Sequence, residues 1–152
     1  MHSFVRENQL GKGGFSIVHR ATSFTFPSPG VALKQISKQR LAQNDLVKLI
    51  ENEVSIHSRC EHPNIVQYLG MEQTDQKLCI FLEYVPGGSL KDLIMNFGPL
   101  NTNLLRVYTR QMLLGLEYLH HRGIAHRDLK AANILITNTG VIKIGKQFAS
   151  NL

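Results

Sequence analysis

The order of polar and apolar residues divides the chain into a strand-rich first part and a helix-rich second part. Phe15-Ser16-Ile17-Val18-His19-Arg20-Ala21 alternates with period two, which predicts a strand with Phe15, Ile17 and His19 on one face and Val18 on the other. A turn-rich stretch, Phe26-Pro27-Ser28-Pro29-Gly30, leads to a second strand over Val31-Ala32-Leu33-Lys34-Gln35-Ile36. The period then lengthens. Leu46, Leu49, Ile50, Val54 and Ile56 fall near helical spacing and predict a helix from Asp45 to Ser58, with Asn44 or Asp45 as its N-cap and Glu61-His62-Pro63-Asn64 ending it. Strands are expected at Ile65 to Met71 and Lys77 to Glu83, joined by a turn at Thr74-Asp75-Gln76.

From Pro86-Gly87-Gly88 onward the pattern is helical, and these residues read as a hinge between two lobes. A short helix is expected from Ser89 to Asn96, stopping at Phe97-Gly98-Pro99. A long one follows from Thr102 to Arg122, ended by Gly123, with Leu104, Leu105, Tyr108, Met112, Leu116 and Leu119 as its apolar stripe. Two short apolar runs, Asn133 to Ile136 and Val141 to Ile144, flank an Asn138-Thr139-Gly140 turn. Strands grouped before helices give an α+β fold.

Composition narrows the class. Hydrophobic residues make up 43% and charged residues 18% of the 152, which predicts a globular chain with a real core. No apolar run approaches the roughly 20 residues needed to cross a bilayer, and the N-terminus has no signal-peptide core. Cys60 and Cys79 make neither a disulfide framework nor a metal spacing, which points to a reducing compartment. Basic residues outnumber acidic ones 17 to 11. They are scattered, without blocks or interleaved aromatics, so the excess reads as a solvated surface with no nucleic-acid or membrane partner.

Three segments carry candidate chemistry. Gly11-Lys12-Gly13-Gly14-Phe15-Ser16-Ile17-Val18 is a glycine-rich turn before a strand; it is either a plain hairpin or a loop whose backbone N–H groups pass close to phosphates. It is not a dinucleotide fingerprint, which needs a helix next, and no Gly-Lys-Ser/Thr closes it as a P-loop. Lys34, in an apolar strand, is either an exposed side chain or one half of a phosphate-directed ion pair with Glu53 on the following helix. His126-Arg127-Asp128-Leu129-Lys130-Ala131-Ala132-Asn133 places an acid, cations and an amide on one loop between the long helix and a strand.

These motifs, in this order, resemble the eukaryotic protein kinase family from Gln9 to Ile144. Lys130 resembles the serine/threonine type. Phe81 to Leu90 and His126 to Asn133 are similar to MAP kinase kinase kinases. The resemblance implies a bilobal domain, with an N-lobe of antiparallel sheet plus one helix over residues 1–85 and a partial helical C-lobe over 86–152. It implies ATP-dependent phosphorylation of protein serine or threonine in a signalling cascade, with a downstream kinase as one candidate substrate and a cytoplasmic home.

The same resemblance assigns roles. Backbone at Gly11, Gly13, Gly14 and Ser16 covers the ATP phosphates, with Ser16 standing for the family's third glycine. Lys34, held by Glu53, contacts the α- and β-phosphates. Leu10, Val18, Ala32 and Leu135 sandwich adenine, the Glu83 carbonyl and Val85 amide bond its edge, and Leu82 is the gatekeeper. Asp128 orients and deprotonates the substrate hydroxyl, Lys130 neutralises the γ-phosphoryl group, Asn133 holds Mg2+, and Arg127 awaits a phosphorylated activation loop.

The pattern breaks after Ile144. Where the family continues with Asp-Phe-Gly, this sequence has Lys146-Gln147-Phe148, so an ammonium replaces the magnesium-binding carboxylate. Phosphoryl transfer is catalysed mainly by positioning and charge, and losing one such group costs ~10² to 10³ in rate. The sequence ends at Leu152, before the family's activation loop and substrate platform, and reads as a truncated kinase domain whose long helix loses much of its apolar cover. Gly145-Lys146 is encodable as an intron donor site, so the residues beyond Ile144 also read as retained-intron translation.

Overall fold

In the computed structural model, residues 4–12, 16–23, 30–41 and 44–145 are described. The backbone gathers into two compact units, one of residues 1–59 and 67–84, the other of 60–66 and 85–152.

The first unit is built on a five-stranded antiparallel sheet. Its strands are β1 (Phe4–Lys12), β2 (Ser16–Ser23), β3 (Val31–Ser37), β4 (Tyr68–Gln73) and β5 (Lys77–Glu83), in the order β1-β2-β3-β5-β4. The helix α1 spans Asn44–His57, after a single 3-10 turn at Lys38–Leu41. Strands β3 and β5 are interior and apolar on both faces. Val31 and Leu33 share a cluster with Ala21, Cys79 and Phe81, and Phe4 meets Phe81 edge to face at 5.5 Å. On the alternate residues Ile36, Leu78 and Ile80 are fully buried, and Lys34 is buried beside them in β3.

Several features of this unit depart from expectation. Strand β1 was not expected, because its side chains are almost all exposed; it is an edge strand, held by its ladder to β2 and interrupted by register shifts around Gln9. Strand β2 lacks the expected alternation: Ser16 to Arg20 are all half-buried, and Phe15 lies outside the described residues. In α1 the inward stripe is Ile50, Val54 and His57, whereas Leu49 and Ile56 are exposed. That helix also begins at Asn44 rather than after it.

The second unit contains α2 (Leu90–Phe97), α3 (Thr102–His121) and a two-stranded antiparallel sheet of β6 (Ile134–Ile136) and β7 (Ile142–Ile144). Ser89 caps α2 with a reciprocal capping box: its hydroxyl accepts from the Asp92 N–H while the Asp92 carboxylate accepts from the Ser89 N–H. Asn101 caps α3, and Gly123, at φ 69°, turns the chain out of it. The buried line of α3 runs through Tyr108, Gly115 and Leu119; Leu104, Met112 and Leu116 flank it, and Leu105, expected in the stripe, is exposed.

The strand expected from Ile65 starts instead at Tyr68. Residues Asn64 to Val66 pair with β7: Ile144 N–H donates to the Asn64 carbonyl at 2.8 Å, and Val66 N–H to the Ile144 carbonyl at 3.0 Å. Competition for the free edge of β7 thus removes Ile65 and Val66 from the larger sheet.

Candidate functional site

Strand β3 carries Lys34 into the interior of the first unit, where its Cα stands between those of Val18 on β2 and Ile80 on β5. Loss of hydration lowers its pKa to about 8, and the Glu53 carboxylate on α1 pulls the other way. The ammonium is therefore still charged at neutral pH. Lys34 and Glu53, an open pair in the sequence, do act on each other in the fold. Gly11 pairs with Val18, and a Cβ at Gly11 would meet nothing within 4 Å. Leu10 is exposed, and Ser16, Val18 and Ala32 are half-buried. Gly13 and Gly14 lie outside the described residues, as do Lys146, Gln147 and Phe148. Ala32 pairs with Leu82 across β3 and β5, and the Glu83 N–H donates to the Gln67 carbonyl at 2.9 Å.

Val85 opens the second unit and is buried. Two residues later, Gly87 N–H donates to the Ile136 carbonyl at 2.9 Å, and Ile136 N–H donates to the Gly88 carbonyl at 3.0 Å. A Cβ at Gly87 would lie 2.3 Å from the Ile136 carbonyl oxygen, so only glycine fits there. Leu135 on β6 stands between Lys143 and Ser89.

The loop from His126 to Asn133 is held by side chains rather than by a ladder. Asp128 is its centre. Lys130 Nζ lies 3.0 Å from Asp128 Oδ1. Asn133 Nδ2 donates to Asp128 Oδ2 at 2.9 Å and to the Asp128 carbonyl at 2.7 Å. A 3-10 turn over Ala131–Asn133 brings the asparagine back onto the acid, and Asn133 is buried. Arg127 has φ 64°, rare for a side chain of its size, which turns the chain between two anchored neighbours. On one side stands buried His126, whose Nε2 is 3.0 Å from the Gly145 carbonyl. A carbonyl only accepts, so Nε2 carries the proton and Nδ1 is free to accept the Asp128 N–H at 3.4 Å. The Gly145 N–H donates to the Asn133 carbonyl at 2.8 Å.

The second unit therefore unites Asp128, Lys130 and Asn133, while Lys34 and Glu53 meet in the first. Reading by sequence assigned nothing to His126, Asn64 or Gln111, although each is anchored in this region. The signal for Gln111 is a polar residue three positions after buried Tyr108, on the inward side of an otherwise apolar helix face.

A protein kinase domain family matches residues 4–146. Cell division control protein 7 of Schizosaccharomyces pombe is 44% identical over 135 residues, covering 89% of this chain and 12% of that protein. Mitogen-activated protein kinase kinase kinase ANP1 of Arabidopsis thaliana is 42% identical over 153 residues, covering 95% and 22% respectively. The chain thus spans less than a quarter of these relatives' length. The crystal structure of Rad53 1-466 in complex with AMP-PNP matches with a TM-score of 0.82 and 31% identity, over 97% of this chain and 38% of that one. This chain belongs to the protein kinase family, and its fold is the protein-kinase fold.

Proposed function

We propose, from that membership, that the chain is an ATP-binding protein kinase domain of the serine/threonine type, acting on protein substrates in a signalling cascade. The observation that carries the reading is the Asp128 cluster: one carboxylate oriented by an amide on one oxygen and an ammonium on the other. Such a carboxylate can accept the proton of a serine or threonine hydroxyl as its oxygen attacks the γ-phosphorus. Lys130, half-exposed beside it, can move from Asp128 to the incoming phosphoryl oxygens.

In the first unit the reading gives Lys34 the α- and β-phosphates, Gly11 and Ser16 the backbone over them, and Leu10, Val18 and Ala32 the faces of adenine. In the second it gives Leu135 the adenine face and the Val85 N–H the adenine edge. The AMP-PNP bound to Rad53 supports the choice of nucleotide. The same family membership supports a cytoplasmic setting; no helix among the described residues is long and apolar enough to cross a membrane.

The donor set does not fit a full magnesium site. Mg2+ favours carboxylate oxygens together with phosphates. Here Asn133 spends its amide hydrogens on Asp128, which leaves only its carboxamide oxygen to offer a metal, and in the sequence Lys146 stands where the family has its magnesium-binding aspartate.

Thermal unfolding of the whole chain with ATP, in Mg2+ and again in EDTA, tests the reading alongside phosphate transfer to a serine peptide. The expected result is a cooperative transition raised by nucleotide, with transfer lowered ~10² to 10³-fold against an Asp-Phe-Gly kinase. A transition unmoved by ATP would overturn it. Lys146 favours one second reading, a nucleotide-binding module without turnover, and stabilisation that survives EDTA with no transfer at all would establish that instead.

A further inference from the structure

We propose that Gln111 is a positioning residue for the Asp128 loop, acting through β7; this rests on the reading of that loop as the reacting centre. Strand β7 is only three residues long, and its pairing with β6 leaves the N–H and C=O of Ile142 to other partners. Both are taken by side chains. Gln111 Oε1 accepts the Ile142 N–H at 2.8 Å, and Asn64 Nδ2 donates to the Ile142 carbonyl at 2.9 Å. The same Oε1 accepts a second bond from Asn64 Nδ2 at 3.1 Å. One carboxamide oxygen on α3 thereby ties helix, loop and strand together.

The approach is close because α3 has no side chain at Gly115, where a Cβ would stand 2.9 Å from Ile144 Cδ1 and 3.0 Å from the Asn64 carbonyl oxygen. Strand β7 leads directly into Gly145. That residue's carbonyl receives His126 Nε2, its N–H holds the Asn133 carbonyl, and His126 Nδ1 in turn receives the Asp128 N–H. Any sliding of β7 along its axis is thus passed to both anchors of Asp128. Gln111 resists that sliding at the far end of the strand, and an apolar residue in its place leaves the Ile142 N–H without its acceptor.

The test is hydrogen exchange and imidazole 1H–15N correlation on the full 152-residue chain, with no nucleotide present. Gln111→Met removes the acceptor at similar length. Exchange at both the Ile142 and Gly145 amides is expected to quicken about ten-fold or more, as for a buried donor losing its partner. The His126 ring is expected to lose its single Nε2–H signature, while the Asp92 amide of the α2 cap keeps its rate. Gln111→Glu keeps an acceptor oxygen at the same reach and is expected to keep both Gly145 protection and the His126 signature. If Gln111→Met changes Ile142 alone, Gln111 is a local anchor and the proposal is overturned. Should that variant fail to fold, exchange of the unmodified chain in rising urea decides. Ile142 and Gly145 opening with a common urea dependence supports the coupling, and separate dependences overturn it. Failure of ATP to stabilise the chain sinks the kinase reading without touching these readouts.

Discussion

Lys34 and Asp128 are the two charged groups that the proposed function needs most, and the fold treats them in opposite ways. Lys34 sits in regular structure, the middle of an interior strand, where apolar neighbours strip its water and lower its pKa. Asp128 sits in irregular structure and has each carboxylate oxygen engaged, one by Lys130 and one by Asn133. The first placement works against stability and the second works for it. Removing the polar group at each site therefore has effects of opposite sign.

The largest expected effect is at Lys34. Its folded pKa, about 8, lies below the ordinary 10.5, so between these values the unfolded chain binds the extra proton and stability rises with pH. Below about pH 8 the cost of the buried ammonium is fully present. Lys34→Met is expected to stabilise the chain at pH 7, on the order of 3 kcal/mol from the size of the shift. The advantage should shrink as pH climbs from 8 towards 10.5. Urea unfolding of both proteins across that range checks it, and a variant less stable at pH 7 would show that the attraction to Glu53 outweighs burial. ATP-induced stabilisation should be lost in the same variant.

Asn133→Ala is the counterpart. It deletes both bonds from Nδ2 to Asp128, one to the backbone carbonyl and one to the carboxylate, and a hydrogen bond to a charged group contributes about 1.5–3 kcal/mol. Destabilisation by about 2 kcal/mol in urea unfolding is expected. A neutral outcome would mean that Lys130 and solvent satisfy Asp128 unaided, and the contrast between the two sites would collapse.

The same contrast explains what the sequence made legible. β3, β5, α2 and α3 follow from short apolar runs, helical spacing and the breakers Gly98 and Gly123, because burial and chain stops decide them locally. Lys34 was visible as a cation in an apolar strand, but not its burial, which depends on β2 and β5 flanking it. The order of motifs exposed the Asp128 loop, yet no periodicity reports that His126 reaches Gly145, nineteen residues away, or that Asn64 reaches Ile142. Long-range polar bonds leave no local pattern. β1 was hidden for a related reason: it is an edge strand held by its ladder to β2, and its side chains from Val5 to Leu10 are all exposed, so no alternation marks it. Leu105 and Ile56 failed as core residues because a helical stripe is narrower than the apolar positions available to fill it.

The smallest expected effect tests whether local polar closure, of the kind found around Asp128, stabilises the second unit away from the reacting groups. Ser89 and Asp92 form the α2 cap: the Ser89 hydroxyl donates to Asp92 Oδ2 at 2.6 Å, and the Ser89 N–H donates to the same oxygen at 3.1 Å. These two bonds hold the Asp92 carboxyl below its ordinary pKa, the hydroxyl contributing more than the backbone. A depressed carboxyl pKa gives stability that is present above the unfolded value and is lost as pH falls through the folded one. Ser89→Ala should cost about 1 kcal/mol at neutral pH, the usual worth of an N-cap. Its deficit relative to the unmodified chain should narrow in acid, because the Ser89-dependent preference for the ionised carboxylate is then gone from both. The readout is the difference in urea midpoint between the two proteins from pH 7 down to pH 3. A deficit that stays constant across that range would assign the cap's worth to the Asp92 N–H bond alone, which donates to the serine hydroxyl at 3.1 Å whatever the carboxyl's charge.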